Sequence, residues 1–78
     1  MPHKNKNIYI IVAKNIKKHR KKQKLTQKEL ARKCGYSYAY IRRIEAPNCC
    51  KNFSIQTINN ICEALNIDIS SIFEDDNI

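Results

Sequence analysis

The stretch that decides the fold is residues 25–45, LTQKELARKCGYSYAYIRRIE. Near its start, Thr26 and Glu29 have the three-residue spacing of a capping box, in which each side chain bonds the other residue's backbone amide. This spacing predicts that a helix begins at about Gln27. Its apolar side chains recur at helical intervals and are expected to face the core, namely Leu30, Ala31 and Cys34.

A second helix is predicted after a short turn. Gly35 can adopt the left-handed conformation that ends many helices, and Ser37 can cap a new helix that runs to about Ala46. Pro47 then closes this helix, because the residue before a proline is disfavoured in helical conformation. Two short helices joined by a tight turn containing glycine describe a helix-turn-helix unit over about residues 27–45.

A longer helix is predicted before this unit. Ile8, Val12 and Ile16 recur every four residues, which indicates a helix from about Asn7 to Lys22. The other positions of this segment are rich in lysine. The first helix is therefore expected to have one apolar face and a basic remainder.

Two further helical patterns follow the unit. Ser54 can cap a fourth helix, which is expected to end at Asn66, a residue that tolerates the left-handed conformation. Asp68 can cap a last short helical turn. The apolar positions of these two elements are Ile55, Ile58, Ile61, Cys62, Leu65, Ile69, Ile72 and Phe73. Together the patterns predict an all-α fold, a compact domain of five helices.

Length and charge limit what the chain can do. Its 78 residues allow one small domain and exclude a large enzyme or a membrane channel. The net charge of +8 is uneven, because residues 1–45 hold fourteen Lys and Arg against two acids, whereas residues 46–78 hold one Lys against five acids. This asymmetry favours a polyanion-binding face, with a merely solvated surface as the alternative. We expect a flexible basic arm at 1–6, the domain at 7–73 and an acidic tail at 74–78.

Nothing in the sequence indicates a membrane segment, a metal site or catalysis. The apolar run at residues 8–13 is too short for a signal peptide or a membrane span, so a cytoplasmic protein is expected. The cysteines form no C-x-x-C pair and the histidines have no zinc-finger spacing, which predicts free thiols, no metal and no cofactor. A redox response of the adjacent Cys49 and Cys50 stays open. We expect no enzyme and no small-molecule ligand, because no acid–base pair, nucleophile set or phosphate loop is present.

The unit resembles a known family. The stretches Leu25–Ala31, Gly35–Ser37 and Tyr40–Glu45 are similar to the helix-turn-helix domains of the Cro/C1 type, also called the XRE family. The similarity continues from Ser54 through Phe73. It implies a lambda-repressor-like fold and binding to double-stranded DNA. A chain consisting of this domain alone is similar to the small phage repressors and to the controller proteins of restriction–modification systems.

The second helix of the unit is the predicted recognition helix. At about 100° per residue, Ile41 and Ile44 point to one side and define its buried face. The first turn of a recognition helix comes closest to the base edges in the major groove. The candidate base readers are Tyr38, Ala39, Arg42 and Arg43.

These four residues differ in the contact they are expected to make. Arg43 is the main candidate, since a guanidinium matches the O6 and N7 acceptors of guanine, and Ala39 can meet a thymine methyl group. Tyr38 can contact a base with its ring or its hydroxyl, or it can pack on the domain surface. Arg42 can meet either a base or a phosphate.

Phosphate contacts are expected around the recognition helix. Gln27 lies in the first turn of a helix, where free backbone amides attract phosphate. The resemblance implies that its side chain clamps the DNA backbone and braces the recognition helix. The other phosphate candidates are Tyr40, Asn48, Lys51 and Asn52, while the lysines of the first helix are expected to add only a diffuse field.

The resemblance also implies one internal salt bridge. Arg20 and Glu45 would tie the first helix to the recognition helix, and neither is expected to contact DNA. Two positions depart from the family pattern. His19 replaces an apolar residue that is usually leucine, and Lys24 stands where a glycine usually ends the first helix.

The expected assembly is a homodimer. One recognition helix covers only a few base pairs, and a dimer doubles the site and makes it an inverted repeat. Its interface is predicted among apolar residues that could also seal the core beside the fourth helix, namely Ile67, Ile69, Ile72 and Phe73. The predicted function is a sequence-specific transcriptional regulator of the controller or Cro type, acting as repressor or activator. The alternative is an antitoxin-type protein that binds a partner toxin and represses its own promoter.

Overall fold

The structure, a computed structural model, describes residues 7–46 and 53–74. Every regular element in these two ranges is helical, which confirms the predicted all-α class. The fifth predicted helix is a 3₁₀ helix rather than an α-helix. The predicted arm at 1–6 lies outside the described residues, as does the predicted tail beyond Glu74. The elements are α1 Ile8–Lys22, α2 Gln27–Cys34, α3 Tyr38–Glu45, α4 Ile55–Leu65 and the 3₁₀ helix Ile69–Phe73.

The capping box predicted at the start of α2 is present. Thr26 Oγ1 accepts a hydrogen bond from the Glu29 amide at 3.0 Å, and Glu29 Oε1 accepts one from the Thr26 amide at 2.7 Å. The hydrogen bond from the Thr26 amide, followed by the influence of the Thr26 hydroxyl, holds the pKa of the Glu29 carboxyl below its usual value. The carboxylate also lies near the positive end of the helix dipole. As predicted, α2 begins at Gln27.

Side-chain caps also set the starts of the other α-helices. Ser37 Oγ and Ser54 Oγ each accept a hydrogen bond at 3.1 Å from an amide in the first turn of α3 and α4, which confirms both predicted starts. Asn7 Oδ1 caps α1 in the same manner. The prediction that the Asp68 side chain caps the last helix is wrong, because this side chain makes no capping hydrogen bond. This residue contributes its backbone carbonyl instead, which accepts the first hydrogen bond of the 3₁₀ helix at 3.0 Å.

Three of the helices end in the same way. The residue after the last turn has positive φ in each, with +60° at Lys24, +79° at Gly35 and +58° at Asn66. The next amide then reaches back to the carbonyl five positions earlier, over 3.0 to 3.1 Å. This pattern satisfies carbonyls that a helix end would otherwise leave unpaired. Glycine and asparagine adopt the conformation readily, whereas lysine carries a steric cost.

The helices enclose one hydrophobic core. The α2 helix packs against α3 and α4, while α1 packs against the 3₁₀ helix. Ile72 has no exposed surface, which agrees with the alternative that it seals the core, and its share in a dimer interface stays a prediction. The 3₁₀ helix lies against α1, so the Ile72 side chain fills the core of its own chain. The core residues are Val12, Ile16, Leu30, Ala31, Ile41, Ile44, Phe53, Ile58, Ile61, Cys62, Leu65 and Ile72.

A buried amide fastens the 3₁₀ helix to α1. Asn15 is 4% exposed, and its Nδ2 donates to the carbonyl oxygens of Ile72 and Glu74, each at 2.7 Å. The amide group is thereby satisfied, and such pairing is what allows a polar side chain to be buried. Directly after α1, Gln23 Nε2 donates to the carbonyl of Leu65 at 2.6 Å. The end of α4 and the closing turn are therefore both tied to the first helix.

The two cysteines in the described ranges, Cys34 and Cys62, are free thiols. Burial raises the pKa of the Cys34 thiol to about 11 and also raises the pKa of the Cys62 thiol. Both groups therefore stay protonated at neutral pH and act as small apolar side chains. Cys49 and Cys50, whose redox response is an open possibility from the sequence, lie outside the described residues.

Candidate nucleic-acid interface

The α3 helix presents one buried and one exposed face. Ile41 and Ile44 are almost fully buried, with exposures of 0% and 1%. Counting from Tyr38 as position i, the residues at i, i+1, i+4 and i+5 share the opposite face of the helix. The structure brings the four predicted base readers together on this exposed face, namely Tyr38, Ala39, Arg42 and Arg43.

A buried ion pair fixes the far end of α3. Arg20 Nε donates to Glu45 Oε2 at 2.8 Å, and Arg20 Nη2 donates to Glu45 Oε1 at 3.0 Å. The two side chains are 8% and 2% exposed. Arg20 Nη1 also donates to the Leu25 carbonyl at 2.7 Å. One guanidinium therefore joins α1, the segment before α2 and the end of α3, and its two-pronged geometry fixes their relative orientation.

Gln27 links the two helices of the unit. Its Nε2 donates to Glu45 Oε1 at 3.0 Å, and the residue is half-buried. The first residue of α2 thus bonds to the last residue of α3. Its expected contact with a DNA phosphate stays a prediction.

Tyr40 belongs to α3 and contacts α4. Its hydroxyl is 3.5 Å from Thr57 Oγ1, and its ring centroid is 5.1 Å from that of Tyr36. The Tyr36 hydroxyl in turn accepts a hydrogen bond from Asn60 Nδ2 at 2.8 Å. These contacts attach the turn and the first part of α3 to α4. A phosphate contact by the Tyr40 hydroxyl remains a prediction.

Tyr38 makes two contacts that were not predicted from the sequence. The Lys28 ammonium lies 5.3 Å from the centroid of its ring, and the Arg42 guanidinium lies 5.6 Å from it. Both distances are within the range of cation–π attraction. Arg42 is four residues after Tyr38 on the same helix, a spacing that places the two side chains side by side. Lys28 belongs to α2, and its contact with Tyr38 depends on how the two helices pack.

An open cavity lies beside this aromatic ring. Its volume is about 340 Å³, and it opens between the start of α2 and the start of α3. The lining residues are Arg20, Thr26, Gln27, Lys28 and Tyr38.

An apolar groove of about 240 Å³ runs between the starts of α1 and α4 and reaches the end of the 3₁₀ helix. Ile8 and Ile55 are large apolar residues of its lining that are exposed, at 45% and 64%. Phe73, one of the predicted interface residues, also lines this groove. Ile67 and Ile69 are half-buried and pack against the core.

The phosphate candidates Asn48, Lys51 and Asn52 lie outside the described residues.

Two classes of feature are absent from residues 7–46 and 53–74. In these ranges, no three His, Cys, Asp or Glu side chains come close enough to hold a metal ion together. The helices of the same ranges are also too short or too polar to cross a membrane.

Solved structures of other proteins have folds similar to that of this chain. A hypothetical transcription factor from Neisseria, NHTF, has a TM-score of 0.82 and 23% identity, over 90% of this chain and 78% of the other. The restriction–modification controller protein C.AhdI from Aeromonas hydrophila has a TM-score of 0.75 and 23% identity, over 83% of this chain and 96% of the other. At these identities the likeness shows the fold. No curated protein matches the chain.

The sequence also matches a family profile. The helix-turn-helix profile aligns with residues 16–72, which is more than half of the chain and includes all of α2, α3 and α4. The chain belongs to the Cro/C1-type helix-turn-helix family of DNA-binding transcription regulators.

Proposed function

We propose that this protein is a sequence-specific regulator that binds an inverted-repeat operator as a homodimer, in the manner of a restriction–modification controller or a Cro-like regulator. The observation that carries the proposal is the exposed face of α3, which is held on a rigid frame by the ion pair of Arg20 with Glu45. The regulator occupies DNA in the cytoplasm and thereby excludes or recruits polymerase.

Sequence is read by the exposed face of α3. Arg43 pairs with a guanine through its guanidinium, and Ala39 contacts a thymine methyl group. Arg42 lies one turn after Tyr38 and contacts either a base edge or the backbone. A base contact of this kind discriminates between sequences, whereas a phosphate contact fixes only position and orientation.

The DNA backbone is held by groups around α3. The Gln27 amide contacts one phosphate at the start of α2, where the helix dipole also favours an anion. Further phosphate contacts come from Tyr40 and from the segment that follows α3, with Asn48, Lys51 and Asn52. If a dimer touches about eight phosphates, log affinity falls with log salt at a slope of about −7.

The dimer forms through apolar surface away from the readers on α3. The groove that includes Ile8, Ile55 and Phe73 supports this proposal, because exposed apolar residues that cluster together mark interaction sites. Ile67 and Ile69 contribute where they remain partly exposed. The similarity in fold to C.AhdI supports the assignment to the controller type, since the structural alignment covers 96% of the C.AhdI chain.

Selection of binding sites from a randomised duplex library tests the proposal, at about 0.15 M salt. We expect enrichment of an inverted repeat whose half-sites lie about one helical turn apart. Analytical ultracentrifugation of the purified protein at the same salt concentration should show a dimer. Recovery of unselected sequences would contradict the proposal and direct the search to a protein partner, as in an antitoxin.

Arg43→Ala is the sharpest variant for base reading. It should weaken binding to the best site by about 1–3 kcal/mol and relax the preference at one base position of each half-site. Competition binding with single-base variants of the operator measures both effects. Arg32→Ala, which removes an exposed arginine from the last turn of α2, is the matched control and should leave the preference unchanged. An equal loss on all sequences would show that Arg43 contacts phosphate.

A further inference from the structure

We propose that Tyr38 is a positioning residue, whose ring holds the Lys28 ammonium and the Arg42 guanidinium together as one cationic surface for the DNA backbone. The inference rests on the proposed function, since it concerns how the same interface is organised. It adds Lys28 to the DNA contacts and assigns the aromatic ring a role other than reading a base.

The contacts of the ring carry the argument. Lys28 and Arg42 lie 5.3 Å and 5.6 Å from the same ring centroid, so one ring serves two cations. The face of an aromatic ring is the negative part of its quadrupole, which attracts cations. Tyr38 is 41% exposed, so these contacts occur at the surface, where DNA can reach both cations.

The arrangement also joins the two helices of the unit. Lys28 belongs to the first turn of α2, whereas Tyr38 and Arg42 belong to α3, one turn apart. Lys28 and Arg42 carry like charges, and the attraction of each to the same ring offsets part of any repulsion between them. Both side chains are long and lose rotamer freedom when they bind a phosphate. A ring that already orients them reduces this loss.

The cavity beside the ring supports the inclusion of Lys28. Lys28 and Tyr38 line it together with Gln27, which is the predicted phosphate clamp. The Arg20 guanidinium on the same cavity is already engaged with Glu45. Lys28 is therefore the cation of this lining that can turn toward a phosphate while it stays near the ring.

The test separates the ring of Tyr38 from its hydroxyl. Tyr38→Phe keeps the ring, and it should bind the selected operator with unchanged affinity and unchanged base preference. Tyr38→Leu removes the ring, and it should bind about threefold to tenfold more weakly at every base sequence. Lys28→Gln should reduce the magnitude of the salt slope by about 1 per protomer. Lys33→Gln, in the last turn of the same helix, is the control for loss of one positive charge.

A double-mutant cycle tests whether the ring acts through Lys28. In the Lys28→Gln background, Tyr38→Leu should cost a smaller fold-change in affinity than it costs in the wild type. Thermal melting checks that each variant is folded, and the exposure of Tyr38 makes unfolding by these changes unexpected.

Three results would overturn the inference while the proposed function stands. One is wild-type affinity and salt slope for Tyr38→Leu. Another is a changed preference at one base position for Tyr38→Phe, which would show that the hydroxyl reads a base. The third is an equal fold-change for Tyr38→Leu in both backgrounds. Failure of the proposed function is distinguishable from all three, because the wild-type protein itself would then select no sequence.

Discussion

The α1 helix has two buried polar anchors that differ in chemistry and in what they hold. Asn15 is neutral, and its amide bonds two backbone carbonyls near the end of the 3₁₀ helix. Arg20, a little more than one turn later, is charged and bonds both oxygens of the Glu45 carboxylate. The neutral anchor closes the domain at one side, and the ionic anchor fixes the helix that faces DNA.

The difference shows where precision is needed. When both hydrogens of a neutral amide donate to carbonyls, the nitrogen keeps its hydrogen bonds inside the protein and no charge is buried. An ion pair must lose the hydration of two charges, and burying it often gains little stability over an apolar replacement. It does, however, fix orientation through two parallel hydrogen bonds. The ion pair, which has the larger desolvation cost, lies where Gln27 also bonds Glu45, at the edge of the domain expected to contact DNA.

The largest expected effect follows from breaking the ionic anchor. Glu45→Ala leaves the Arg20 guanidinium buried without its counter-ion, and it should lower the free energy of unfolding by about 3–5 kcal/mol. Chemical denaturation monitored by circular dichroism measures this loss. At a temperature where the variant is folded, operator binding should also weaken, because Gln27 loses its partner at the end of α3.

A double variant sharpens the same comparison. Arg20→Met with Glu45→Leu removes both charges and keeps apolar volume, so most of the lost stability should return. Operator binding should stay weak, since the orienting hydrogen bonds are absent. Full recovery of binding by the double variant would show that the ion pair serves the fold alone.

A smaller effect is expected at the neutral anchor. Asn15→Ala removes both hydrogen bonds to the closing turn, and it should lower the free energy of unfolding by about 1–3 kcal/mol. Under conditions where the variant is folded, its affinity for the operator should equal that of the wild type. Denaturation and binding assays on the same preparation check both statements. A loss of affinity in the folded variant would show that the two anchors are coupled.

The smallest effect concerns the end of α1. Lys24 has a left-handed φ of +60°, which glycine adopts without a steric cost. Lys24→Gly should therefore be more stable than Lys24→Ala by about 0.5–1 kcal/mol, and both changes remove the same charge. Thermal melting of the pair measures the difference. Equal stability would mean that this turn carries no strain.

Local features of the fold could be predicted from the sequence because their causes are local. The capping box of Thr26 with Glu29 involves residues three positions apart, and Ser37 and Ser54 bond amides in the turn that they begin. The left-handed ends at Gly35 and Asn66 follow from the residue types themselves. Each of these assignments requires no knowledge of how the helices pack.

Contacts between distant residues could not be predicted in this way. Asn15 bonds carbonyls 57 and 59 positions away, and its sequence neighbours give it no special pattern. Ile72 is apolar, and an apolar side chain is equally suited to an interface and to a core. Its burial follows from the way the 3₁₀ helix packs. Lys28 meets Tyr38 because α2 and α3 pack closely. The pairing of Arg20 with Glu45 was implied by family resemblance rather than by any spacing.

The shortness of the two central helices has a consequence for how the domain works as a whole. Helices α2 and α3 contain eight residues each, and isolated helices below about 12–15 residues are marginal in water. The two helices therefore depend on α1 and α4 to exist at all. Recognition cannot be separated from folding, so the domain forms its reading surface in the same cooperative event that forms its core.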